Sequence, residues 1–153
     1  MKHTEYVRGA DDPQGIQLVA TNHKLKIISQ PGIDSTVATG ASEVRNFCRK
    51  ILYMGIRYCW DNLKPRLAQS EGADYWECYD RETDNNGYMT FVPQRLVINA
   101  AFPDTGSMYV FNKFEFQSFM YDVLVAFPDL QQVVGLALTD REVGEDGVAH
   151  ARA

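Results

Sequence analysis

Tyr75-Trp76-Glu77-Cys78-Tyr79-Asp80 is followed by the polar stretch Thr83-Asp84-Asn85-Asn86-Gly87 and then by Tyr88-Met89-Thr90-Phe91-Val92-Pro93. Two strands and a tight turn are the reading that suits all three pieces. Aromatic and β-branched residues favour a pleated, half-buried surface. Alternation places Tyr75, Glu77 and Tyr79 on one side and Trp76, Cys78 and Asp80 on the other. Asn and Gly accept the positive φ that a hairpin turn demands, and Pro93 stops the return strand. Such a hairpin constrains the rest of the chain. Strands joined this closely are antiparallel, because a parallel pair needs a crossover of roughly a dozen residues or more.

The flanking segments supply further elements. Residues 16–19 and 25–28 are short β-like runs around Asn22-His23 and suit a hairpin. Residues 42–63 form the clearest helix. Val44, Phe47, Cys48, Ile51, Leu52, Met54, Ile56, Tyr58, Cys59 and Leu63 make a wide apolar surface. Arg45, Asn46, Arg49, Lys50, Arg57 and Asp61 occupy the opposite stripe at helical spacing. Ser42 is placed to cap this helix, Glu43 suits its positive end, and Pro65 ends or kinks it. Residues 95–102 read as another strand, Pro103-Asp104-Thr105-Gly106 as a turn, and residues 107–111 as a strand. Asn112 then opens a second helix, with Glu115 three residues on to close a reciprocal cap. Phe116, Phe119, Met120, Val123, Leu124 and Phe127 form its apolar face, and Pro128-Asp129 ends it. Residues 130–138 fit a short helix or a strand. Residues 1–14 read as a loose arm, and the acidic residues from 140 onward as a frayed tail. The order helix, antiparallel strands, helix predicts a single α+β domain: a small meander of roughly three to five strands with helices packed on one face.

Chemistry is less legible. Twenty acidic residues against fifteen basic ones leave a net charge of −5. That balance supports solubility and argues against general nucleic-acid binding, which needs basic surface to displace phosphate counterions. It is also too mild for a protein that imitates DNA. Cys48, Cys59 and Cys78 have no metal-type spacing and read as reduced, buried thiols of a cytoplasmic protein. Residues 1–5 lack the apolar core of a signal peptide, and apolar runs such as 123–127 are too short to span a bilayer. A Cys–His nucleophilic pair would have to recruit His23, and no local signature supports it. Glu77, Asp80, Glu82 and Asp84 cluster around the hairpin. Paired acids can do glycosidase work or hold a hard cation, but solvated turn residues are the commoner explanation. No glycine loop of the phosphate-cradling kind opens a helix. No catalytic, cofactor-binding or metal-binding residue is therefore expected.

From about residue 47 to 127 the chain resembles the ArdB/KlcA-type antirestriction proteins carried by plasmids and phages. Gly72, Tyr75, Trp76, Glu77, Tyr79, Asn86, Gly87, Met89 and Pro93 carry the resemblance, in the order glycine loop, aromatic strand, Asn-Gly turn and strand ending in Met and Pro. The strands and helix over 95–127 follow in the family's order. The chain differs in having Gly72-Ala73-Asp74 before the aromatic strand, Tyr88 in place of a second turn glycine, three residues rather than one between Met89 and Pro93, and a bulky second helix. The resemblance implies a small α+β protein without a cofactor. It would protect the DNA of a mobile element by contacting a host type I restriction-modification complex. The expected surface is the hairpin, residues 75–93, with Tyr75, Tyr79 and Tyr88 as anchoring rings, since Tyr and Trp dominate interface hot spots. The expected protein is cytoplasmic, a monomer or weak homo-oligomer, with no specific nucleic acid and no membrane as partner.

Two other readings stay open. An enzyme or ligand-binding domain would line a cleft with acids such as Glu77 and Asp80. A nucleic-acid binder would use Arg45, Arg49, Lys50 and Arg57, although the wet side of an amphipathic helix accounts for the same residues.

Overall fold

A computed structural model describes residues 2–7, 15–67, 87–100 and 102–145. Its strands are β1 (His3–Tyr6), β2 (Gln17–Ala20), β3 (Leu25–Ile28), β4 (Ser35–Thr39), β5 (Tyr88–Val92), β6 (Arg95–Asn99) and β7 (Ser107–Phe111). Its helices are α1 (Ala41–Tyr58), α2 (Lys113–Ala126) and α3 (Gln131–Glu145). The fold is α+β, as the sequence implies, and every strand pair between these elements is antiparallel. The strands divide between two sheets, ordered β1-β2-β3-β7 and β4-β6-β5. The break falls between β6 and β7. A short 3-10 turn, Pro103–Thr105, and Gly106 at φ 83 reverse the chain there. A Cβ at Gly106 would stand 2.3 Å from the Ser29 carbonyl oxygen, so a side chain has no room at that turn.

Three sequence expectations hold closely. The hairpin around Asn22-His23 is β2–β3, with Leu18 opposite Ile27 and Ala20 opposite Leu25. The return strand runs over Tyr88–Val92 and pairs with β6 through the Pro93-Gln94 turn. The second helix carries the expected reciprocal cap: the Glu115 N–H donates to Asn112 Oδ1 at 2.7 Å, and the Asn112 N–H donates to Glu115 Oε1 at 3.0 Å.

Other expectations need correction. Residues 1–14 are not simply a loose arm, because His3–Tyr6 forms β1 against β2. Nothing in its side chains announces a strand; backbone pairing to β2 makes it one, and the Lys50 ammonium donates to the Tyr6 and Val7 carbonyls at 2.8 and 2.6 Å. Residues 35–39 carry no bulky alternation, yet they form β4, burying only the small side chains of Thr36 and Ala38. Gly40, not Ser42, holds the N-cap position of α1, and Glu43 reaches back to accept from the Thr39 N–H at 3.3 Å. The helix leaves its course after Tyr58, well before Pro65. There the Trp60 indole donates to the His23 carbonyl at 3.2 Å and draws the chain away. Residues 130–138 are helical, and the expected frayed tail from residue 140 begins as the last turns of α3. Asp140 and Arg141 hold those turns against α1.

The core forms where α1 meets both sheets and the other two helices. Val44, Phe47, Cys48, Ile51 and Leu52 are fully or almost fully buried on α1. Leu18, Leu25, Ile27, Tyr109 and Phe111 close the four-stranded sheet against it, and Met89, Phe91, Leu96 and Ile98 close the three-stranded one. A chain of rings joins the two sheets across α2. Trp60 meets Phe116 at 5.0 Å, Phe116 meets Phe111 at 5.7 Å, Phe111 meets Phe119 at 5.2 Å, and Phe119 meets Phe91 at 6.0 Å. Tilted and edge-on pairs at such separations gain beyond their buried area.

Gly55 makes that chain of rings possible. A Cβ there would lie 2.3 Å from two atoms of the Phe116 ring. Gly55→Ala is therefore expected to cost roughly 1–3 kcal/mol, the usual penalty for overfilling a packed core. The double variant Gly55→Ala/Phe116→Leu should lose less than the sum of the two single variants, because the contact is shared. Chemical denaturation of the four proteins measures both effects.

Candidate functional site

Tyr75, Trp76, Glu77, Tyr79 and Asn86 lie outside the described residues, as do Gly72, Cys78, Asp80, Glu82 and Asp84. Of the motif residues within them, Gly87 is buried and Met89 faces the core with no exposed surface. Pro93 sits exposed in the turn between β5 and β6. Tyr88 points to the opposite side from Met89 and is 47% exposed. Period-two alternation separates them, as the sequence requires.

Tyr88 shares its side of the three-stranded sheet with other residues in fixed register. It stands opposite Asn99, which stands opposite Ser35. Thr90, Val97 and Val37 form the next row, and Val92, Arg95 and Thr39 the last. Val92 is also 47% exposed, and Val37 and Val97 are half-buried. The outer side is thus a small ridged surface of a tyrosine, valines and threonines, with Arg95 at one corner. Its backing is firm, because Met89, Phe91, Leu96 and Ile98 on the reverse side are all in the core.

The cations along α1 make contacts within the molecule. Arg45 forms an ion pair with Asp129, and that hydrogen bond holds the Asp129 carboxyl below the usual carboxylate range. Arg49 donates to Asn46 at 3.0 Å. Lys50 holds the end of β1, as described. Arg57 donates to the Tyr53 hydroxyl at 2.7 Å, and that hydroxyl donates to Asp140 at 2.5 Å. The Arg57 guanidinium also lies over the Tyr58 ring, 4.9 Å from its centroid, while His3 stacks on the same ring at 3.8 Å. These side chains fasten β1, α1 and α3 together.

A second feature lies at the end of α1. A cleft of about 490 Å³ opens between the β2–β3 turn, the residues following α1, the start of α2 and the side of α3. Arg141 forms one wall. Its guanidinium donates to the Ile56 and Arg57 carbonyls at 3.1 and 3.2 Å and to Asp61 at 2.6 Å. These carbonyls belong to the negative end of α1, where a cation is favoured. Asn62 adopts φ 55, the left-handed region that Asn tolerates better than most residues. Sequence periodicity could not reveal this cleft. Asp61 read as helix surface and Arg141 as tail, and no sequence signal singles out Lys113. Only packing brings them to one place.

The described thiols are poorly suited to nucleophilic work. Desolvation pushes Cys59 up to about 12 from an ordinary 9.0, and it raises Cys48 as well. Neither forms a thiolate readily near neutral pH, the form that attacks electrophiles. Among the described residues no group of His, Cys, Asp and Glu side chains stands where it could hold a metal ion, and no helix is long and apolar enough to cross a membrane.

Compared with known proteins, the chain matches no family model, no curated sequence and no solved structure.

Cys59 should resist iodoacetamide at pH 8 in the folded protein and react fully once unfolded, as read by mass spectrometry. Its pH linkage has a definite sign. The folded thiol stays protonated between pH 9 and about 12 while the unfolded one ionises, so its stabilising contribution falls as pH rises through that window. The stability gap between the protein and its Cys59→Ala variant should therefore narrow from pH 9 upward in denaturation curves.

Proposed function

We propose that this protein works by protein contact as an antirestriction-like factor of a mobile element, meeting a host type I restriction-modification complex through the outer side of the β4-β6-β5 sheet. The observation that carries the reading is the pair Tyr88 and Val92, each 47% exposed on one side of a strand whose other side is core. A half-exposed aromatic on a rigid, well-packed support has the character of an interface anchor. Tyr88 also belongs to the return strand of the motif that resembles the ArdB/KlcA-type proteins.

The electrostatics agree with a protein partner. The chain carries a net charge of −5, and the Arg45, Lys50 and Arg57 cations are engaged inside the fold. Sequence-independent DNA binding requires cations free to neutralise phosphates. In this reading the protein acts in the cytoplasm, without chemistry of its own, as a monomer or weak homo-oligomer.

Tyr88→Ala combined with Val92→Ser should abolish protection of unmodified phage DNA in cells that carry a type I restriction enzyme. Stability should stay within about 0.5 kcal/mol of the parent, as for other surface substitutions. Full protection by the double variant would remove this surface, and absence of protection by the parent protein would remove the function.

A further inference from the structure

We propose that the cleft beside the end of α1 is a binding site for a small molecule bearing an oxyanion, either a carboxylate or a phosphate, held by Lys113 and His23 with the amides of Asn22 and Asn62. Its volume of about 490 Å³ lies within the range usual for small-molecule sites. It is open at one side, and its lining is largely polar, which suits a compact polar ligand.

The residues around it fall into two groups. One group is fully occupied in building the walls. Trp60 is tied to the His23 carbonyl, the Cys59 thiol donates to the Lys24 carbonyl at 3.4 Å, and Arg141 is held by the end of α1 and by Asp61. The other group is uncommitted. Among the described residues, no hydrogen bond or ion pair engages the side chains of Asn22, His23, Asn62 or Lys113. Four uncommitted polar side chains, from three separate parts of the fold, therefore border one cavity.

Charge selects the ligand class. Asp61 is neutralised by Arg141 at 2.6 Å, which leaves the Lys113 ammonium as the uncompensated charge of the lining. Lys113 is half-buried, so its charge is less screened than at an open surface. An ammonium with imidazole and amide donors nearby is a set of groups that binds carboxylate or phosphate oxygens.

The test is a pair of NMR titrations of the intact chain, with inorganic phosphate in one arm and succinate in the other, each at constant ionic strength with sodium chloride. Saturable shifts confined to residues 22–23, 58–62 and 113 and to the Trp60 indole N–H are expected. The probe that saturates at lower concentration identifies the oxyanion. Lys113→Ala should weaken binding about tenfold or more, the loss of one charge-assisted hydrogen bond, and Lys113→Arg should restore most of it. His23→Ala provides a second variant, at an exposed side chain. The proposal is overturned if neither probe gives saturable shifts at these residues up to about 10 mM, well above the range of a specific small-ligand site. It is equally overturned if Lys113→Ala and His23→Ala bind as the parent does.

Discussion

Burial of α1 is the constraint from which the rest of this structure follows. The helix has 18 residues, about 27 Å of length, and it meets both sheets and both other helices. Eight of its residues are buried, among them Val44, Phe47, Ile51 and Leu52. Both sheets contribute apolar residues to the core that it joins. Gly55 sets how closely α2 can approach, and the approach lets Phe116 relay contact from Trp60 to Phe111. The chain of rings continues to Phe91, so packing that begins just past α1 reaches the three-stranded sheet.

The polar side of α1 is organised just as closely. Lys50 secures β1, Arg45 meets Asp129 just before α3, and Tyr53 with Arg57 meets Asp140 within that helix. Arg141 returns from α3 to close the end of α1. Exposed ion pairs are individually weak. Their importance here is geometric, since each joins segments more than 40 residues apart and fixes where β1 or α3 lies. The stripe of cations on α1 is tied into these contacts. Its charges are answered from within the fold, and Lys113 is left as the unanswered charge at the cleft.

Elements with local signals were readable. The alternation of Tyr88, Thr90 and Val92 against Met89 and Phe91 places rings and methyl groups on known sides before any coordinates. Asn112 and Glu115 announce the start of α2 because a reciprocal cap needs only two side chains at fixed spacing. Elements without such signals were not readable. The β4 segment buries only Thr36 and Ala38, too small to mark a strand by hydrophobicity. The pattern of α3 is blurred because Leu136, Leu138 and Val143 are exposed along with its polar residues. The candidate surface was half legible: the side on which Tyr88 lies follows from period two, while its neighbours Val37 and Val97 follow from pairing between strands distant in sequence.

The amino-acid order alone therefore determined the secondary-structure class, the faces of α1 and β5, and the cap of α2, because each depends on residues within a few positions of one another. Tertiary structure decided the division into two sheets, the recruitment of His3–Tyr6 as an edge strand, and the end of α1 at Tyr58. It also decided that Asn22, His23, Asn62 and Lys113 share one cleft. The physical reason is the same for all of these. They arise from hydrogen bonds and packing between segments tens of residues apart, and such contacts leave no periodic trace in the chain that makes them.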